Sequence, residues 1–481
     1  VLLAPLLIVD VPPLLDYPNH LGRMFVLASL PRDPVLARFY AAHWSVIPNL
    51  ALDLVGPALL QVLPVHVVGR LLIAAAVLLP VLGTIAYNSA LGGRWWSLGS
   101  GLVAYNSSLL AGFLNFEISI GLALLLAAAW LRWRVVRPGL AVALAAAGAL
   151  ALFACHLMGV VFFAVLIGSA ELVRAWREGG GWLRRGLVLA VVFAWPLVLY
   201  AVSDLGRLGG DAAFLPAGEK LLQLVTVFVN YAWWLDGLTA AMVILLPLAC
   251  LLLRWGRVPA PAGVAVLVLA AAFVVTPYAW KGTFALDTRF AVMLGFMVFA
   301  GFVPTAWPVR RATWALMALF AARMGLLMVA WWAHRADLAD VRAVLAPVQP
   351  GQAVYVAEAG LREAPGYWTG NPRWRLLSNG ARTDEHLGAL VLIEHRAYWP
   401  FEFDNAAQQP METLEPYRSL ALRVGNLPDR AEAAVGDLCG FDFVLLLGAD
   451  AVQGLPADRF RLLERSGFAA LYGVRRCEAP A

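Results

Sequence analysis

The chain has 481 residues, 61% of them hydrophobic and only 14% charged, with a formal net charge of +5. Soluble domains carry roughly a quarter charged residues, so this composition excludes a soluble globule. The positive balance does not indicate nucleic acid either, because the basic residues are scattered among short loops between apolar runs rather than gathered into one patch.

A hydrocarbon layer ~30 Å thick takes ~20 apolar residues per helix. The opening run, 1–9, falls short of this, with about 14 Å of helix at ~1.5 Å per residue, and reads as the remainder of a clipped first span. Residues 10–65 carry helical patterning at Leu21, Met24, Phe25 and Ala28, then at Leu50, Leu54, Ala58 and Leu59. Pro31, Pro34, Pro48, Pro57 and Pro64 interrupt it. One or two helices lying along the outer membrane surface are predicted. Runs 66–90, 97–114, 117–131, 139–155, 157–174, 186–202, 236–254, 261–278, 288–306 and 311–333 are each predicted to span. Loop 203–235 places Trp233 and Trp234 at an interface.

Arg94, then Arg132, Arg134 and Arg137, then Arg174, Arg177, Arg184 and Arg185, then Arg254 and Arg257, then Arg310 and Arg311 all fall in even-numbered loops. Basic loops stay in the cytoplasm, so the odd loops and everything after residue 333 are predicted to face outward. From Asp337 the composition becomes that of a soluble domain. Strands are expected at 353–357, 441–447 and 469–474, and an amphipathic helix at Thr383–His395. The expected fold is an all-α polytopic membrane protein with about eleven transmembrane helices (1–333) and a small C-terminal α/β extracytoplasmic domain (334–481).

The four cysteines include no CxxC pair. Cys155 and Cys250 lie in apolar runs and read as small core hydrophobes. Cys439 and Cys477 flank two expected strands in the outward domain, and a disulfide between them is predicted if those strands pair antiparallel.

Ionisable residues near a bilayer are costly and need a reason. They collect at the outer ends of different spans. In Asp16-Tyr17-Pro18-Asn19-His20-Leu21-Gly22-Arg23, Pro18 suits a first helical turn, which puts His20 and Arg23 on one face with Asp16 just before it. Asn115 and Glu117 stand at the turn between the third and fourth spans, His156 between the fifth and sixth, and Lys281, Asp287 and Arg289 before the tenth. The competing readings are structural: Asp16 as a helix cap, His156 as an interhelical hydrogen-bonder, Asp287 and Arg289 as a salt bridge. Taken together, acids that can accept a proton and cations that can hold a phosphate suit transfer from a lipid-phosphate donor.

The run 16–23, with Gly112-Phe113-Leu114-Asn115-Phe116 and Asp287-Thr288-Arg289-Phe290, resembles polytopic bacterial glycosyltransferases of the GT-C superfamily. The resemblance covers residues 1–333 in architecture and these short runs in sequence; residues 334–481 carry no motif of the family. It implies an inner-membrane enzyme, inverting in stereochemistry, that takes a sugar from a polyprenyl-phosphate carrier and gives it to a glycan, lipid or protein acceptor outside. Asp16 would be the catalytic base and Arg289 the donor-phosphate contact, with His20, Arg23, Asn115, Glu117, His156, Lys281 and Asp287 around the substrates. Several branches carry an Asp-Glu pair where this chain has Asp16-Tyr17, which leaves open whether a divalent metal takes part. Two readings from other classes are a transporter or lipid flippase, for which mid-membrane charges and repeats would be expected, and a non-catalytic membrane subunit.

Overall fold

The computed structural model describes residues 1–306, 309–359, 373–425 and 430–475. The chain opens with a 3-10 turn at Ala4–Leu7, then α1 (Tyr17–Ser29), β1 (Tyr40–Ala42), α2 (Ala51–Leu60) and α3 (Val65–Ala90). A 3-10 helix, Trp95–Val103, and a single turn α4 (Ser107–Leu110) precede α5 (Leu114–Trp133), α6 (Pro138–Cys155), α7 (Leu157–Arg177) and α8 (Trp182–Val202). There follow α9 (Asp204–Arg207), α10 (Ala217–Thr226), α11 (Trp233–Leu252), β2 (Gly256–Arg257), α12 (Ala260–Val275), α13 (Leu286–Gly301) and β3 (Val303–Pro304). Helix α14 (Val309–Leu345) leads to β4 (Val354–Glu358), α15 (Ala389–His395), β5 (Met411–Thr413), α16 (Tyr417–Val424) and α17 (Arg430–Val435). The described chain closes with β6 (Phe443–Leu447), β7 (Phe460–Ser466) and β8 (Ala469–Val474).

Two compact units emerge. The first is Val1–Ala4, Ser45–Leu52 and Leu71–Leu327; the second is Pro5–Trp44, Asp53–Arg70 and Met328–Ala481. The expected boundary at 333 gives way to a division in which α1 and β1 fold with the C-terminal segment. The reason is apolar burial: Val26, Leu36, Phe39 and Tyr40 share one core with Tyr355, Tyr398, Val444 and Tyr472.

Among the described residues, seven helices are long and apolar enough to cross a membrane: α3, α5, α6, α7, α8, α11 and Ala312–Leu345 of α14. These helices fit the expected multi-pass pattern, and the count of eleven is not confirmed. Helices α12 and α13 have 16 residues each, about 24 Å, and the opening segment forms only its 3-10 turn.

The expected span 97–114 is a correction in kind. Its first half winds as a 3-10 helix, and Asn106 then stops and restarts the chain, its side chain accepting the Ser108 and Leu109 amides at the start of α4. Close packing favours this tighter form: a Cβ at Gly99 would lie 2.6 Å from the Phe299 ring, and one at Gly101 3.1 Å from Phe320. Trp96 stacks on Phe299 at one end of the segment, while Phe113 lies under Arg289 at the other. The segment therefore runs antiparallel along α13 for about 15 Å without being an α-helix.

Within the first unit the loops sort to two ends. Arg132 donates to Ser89, Gly92 approaches Arg257, β2 pairs with β3, and Glu171 gathers Arg134, Arg174 and Arg185 at 3.7, 2.6 and 2.8 Å. The even-numbered basic loops thus meet at one end. At the other end His156 packs on Phe116, Lys220 reaches Asp287, and Lys281 reaches the 205–206 backbone. Asn88 closes the basic end of α13 by donating to Ala300 O and Phe302 O, two of the carbonyls a helix terminus leaves without partners.

The second unit is built on a four-stranded sheet of order β4-β6-β8-β7, with β4 parallel to β6 and the other pairs antiparallel. The three expected strands are present, joined by β7, and β1 pairs with β5 in a separate two-stranded sheet. The expected helix at Thr383–His395 is shorter, beginning at Ala389, and Asp384 ahead of it pairs with Arg382. Residues 10–65, expected as surface helices, supply α1, β1 and α2, and α1 packs on α15 through Gly22, where a Cβ would meet Leu392 and Ala389 at 3.5 and 3.6 Å. Strands β6 and β8 are antiparallel, with Phe443 opposite Gly473, as the Cys439–Cys477 pairing requires; Cys477 itself lies outside the described residues. Cys155 and Cys250 are free thiols.

Candidate active site

Helix α1 begins where Pro18 fixes the first turn. Asp16 precedes it and makes no side-chain cap bond. Its carboxylate instead stands 3.1 Å from Nδ1 of His386, just before α15, with both side chains partly exposed. One turn on, His20 Nδ1 lies 3.2 Å from Arg23 Nη2. Burial, with the charges of Arg23 and His386 beside it, holds His20 well below the usual imidazole range. It is therefore neutral, and its Nδ1 accepts from the guanidinium.

Arg23 is fully buried. Its Nε and Nη2 donate to Asp53 at 2.8 and 3.4 Å, a forked pair between α1 and α2. Burial raises the Asp53 carboxyl and Arg23 works against the rise. A strap at 401–403 crosses α1: Asn19 donates to Phe401 O at 2.8 Å and accepts from Phe403 N at 3.0 Å. The strap lays the Phe403 ring against His20 and His386, with centroids 5.8 and 5.1 Å apart. It also buries Glu402 against α1, where burial drives the carboxyl well above its ordinary range and Arg23 only partly offsets this.

The structure thus brings Asp16, His20 and Arg23 together in the second unit. Sequence reasoning missed Asp53, His386 and Glu402. A signal existed for two of them, since Asp53 interrupts an apolar helix and Glu402 stands between two phenylalanines, but His386 lies in a polar stretch with nothing to mark it.

The remaining expected residues lie in the first unit. Arg289 sits over the Phe113 and Phe116 rings at 5.1 and 5.9 Å, and Phe116 in turn touches His156. His156 Nδ1 accepts the Met158 amide and caps α7, a local role in place of the interhelical hydrogen bond weighed as its structural reading. Asn115 donates to the Asn49 backbone and side chain and accepts from Leu52 N, so it fixes the start of α2. Asp287 pairs with Lys220 at 3.3 Å. Lys281 donates to Gly206 O at 3.1 Å and holds a loop. Glu117 is fully buried in the first turn of α5. Among the described residues no group of three or more His, Cys, Asp or Glu side chains is arranged to hold a metal.

No family model, no curated protein and no solved structure matches the chain.

Proposed function

We propose that this chain is a multi-pass inner-membrane glycosyltransferase that moves a sugar from a polyprenyl-phosphate donor to an acceptor hydroxyl outside the cytoplasm. The observation that carries this reading is Asp16: a carboxylate at a helix start that does no capping, is partly exposed and faces a histidine at 3.1 Å. Carboxylates placed at helix starts are ordinarily spent on backbone amides, and one left open beside an imidazole is suited to taking a proton.

The acceptor oxygen attacks the anomeric carbon, the carbon–oxygen bond to phosphate breaks, and the acceptor proton passes to Asp16, with inversion at that carbon. His386 orients the carboxylate. The departing phosphate needs no proton if a cation receives it. Asn115, His156 and Lys281 act as scaffold in this scheme, because their polar atoms already serve the backbone.

Membranes containing the wild-type chain or Asp16→Asn, given a radiolabelled polyprenyl-phosphate hexose, test the reading. Label is expected to leave the donor lipid with the wild type and to do so about a hundredfold or more slowly with the variant. Equal rates at equal amounts of folded protein would remove Asp16 from the chemistry.

A further inference from the structure

Three buried hydrogen-bonding atoms lie on α1 and on the 401–403 strap that crosses it. Both oxygens of Glu402 and Nη1 of Arg23 are buried and have no hydrogen-bond partner among the described residues. Each residue is more than nine-tenths buried. Folded proteins seldom leave such groups unmatched, and those that persist call for a specific explanation.

Charge decides what can match them. Asp53 already engages the other face of the guanidinium, so Arg23 brings no uncompensated positive charge. The charged groups facing Glu402 are Arg23 from α1, Asp53 from α2 and Asp404 from its own loop, and burial favours its neutral acid form. A phosphate would meet the carboxylates of Asp53 and Asp404, and an ammonium would meet Arg23. A hydroxyl group both donates and accepts, and it satisfies the acid and Nη1 together at no electrostatic cost. His20, which touches Arg23, and Phe403, which follows Glu402, are partly exposed, and the Phe403 ring supplies an apolar wall.

We propose that Arg23 and Glu402 form a subsite for a neutral, hydroxyl-rich ligand, of which a sugar ring is the chemical class. The choice of a sugar among neutral hydroxylated molecules rests on the transfer reading above. Arg23, expected from sequence to assist a phosphate, takes a different part here.

The test uses the full chain in lipid nanodiscs and a panel of methyl hexopyranosides, with affinity followed by saturation-transfer NMR. At least one glycoside is expected to bind, and inorganic phosphate is expected not to displace it. Glu402→Leu is expected to weaken binding about tenfold or more, the loss of a buried hydrogen-bonding group. Gly22→Ala gives a second approach should Glu402→Leu fail to fold: the new methyl would come within 2.6 Å of Glu402 Oε2 and push the carboxyl aside, again weakening the glycoside. Absence of binding across the panel, displacement by phosphate, or unchanged affinity in the folded variants would overturn the subsite. Asp16→Asn separates the two readings, since it is expected to stop transfer and keep glycoside binding. Glycoside binding by a wild-type chain that transfers nothing would sink the transfer reading and leave the subsite standing.

Discussion

Arg342 holds two carboxylates at once, Asp10 at 2.6 Å and Glu394 at 2.7 Å, and His66 adds a contact to Glu394 at 3.0 Å. Burial alone would raise the Glu394 carboxyl, but hydrogen bonds from His66 and Arg342 outweigh it and pull the group down to about 2. A carboxyl depressed in the folded state stabilises above its unfolded value and loses that contribution as pH falls through the folded one. Glu394→Gln is therefore expected to cost roughly 1–3 kcal/mol at neutral pH, with the difference from wild type shrinking as pH drops from about 4.5 toward 2. Melting temperatures of both proteins across that window check it, and a gap independent of pH would show that the pair does not act through ionisation. The catalytic assignment has the opposite legibility. Asp16, His20 and Arg23 could be grouped from sequence because they share one helix start. Glu402 and His386 could not, since the contact that brings the strap onto α1 joins residues 382 positions apart, and no local spacing encodes such a pairing.

At the level of elements, α3 and α5 cross where neither carries a side chain. A Cβ on Gly83 would lie 2.5 Å from Gly121 O, and one on Gly121 would lie 2.3 Å from the Leu79 carbonyl carbon. Small residues at such crossings let backbones approach closely in a lipid setting, where packing rather than water exclusion holds helices together. The clash is with backbone, which cannot swing aside. Gly121→Ala is expected to destabilise by about 1–3 kcal/mol, whereas Gly168→Ala, with nothing within 4 Å, is expected to be neutral or slightly stabilising through helix propensity. Thermal unfolding of the two variants in detergent compares them directly, and equal melting points would refute the crossing. Most spans could be read from length and hydropathy alone. The 97–114 segment could not, because its apolar content is that of a span while its glycines and Asn106 select a 3-10 path. Helices α12 and α13 are shorter than the runs 261–278 and 288–306, apolar residues beyond their ends continuing the pattern without continuing the helix.

For the whole molecule, the alternation of basic loops proved the most informative pattern. The loops predicted to share one side do meet at one end of the first unit, tied by Glu171, Ser89 and the β2–β3 pair, even though one of the intervening segments is not an α-helix. Charge placement reports on which loops must stay behind during insertion, so it survives a change in the conformation of a single segment. By the same rule the end carrying Arg132, Arg174 and Arg257 is expected in the cytoplasm and residue 340 outside. Alkaline phosphatase fused after residue 340 should be active and a cytoplasm-dependent reporter at the same point silent; the reverse pattern would invert the topology. What composition could not disclose was that Pro5–Trp44 and Asp53–Arg70 belong with the C-terminal segment, because an amphipathic stretch reads the same whether its apolar face meets lipid or a β-sheet.

That interleaving carries a consequence for synthesis. The second unit takes its first strand and two of its helices from the beginning of the chain and its sheet from the end, with the bundle residues between them. A ribosome delivers these pieces in order, so α1 and β1 emerge with their apolar faces bare and must wait until more than 250 intervening residues have been made and inserted. Few contacts in this unit can form early, and its assembly is governed by the closing of a very long loop. The C-terminal segment cut off at 333 would likewise lack the residues that complete its core. The unit is a late product of the finished chain, and nascent α1 is a natural client for whatever holds unfolded segments at the membrane surface.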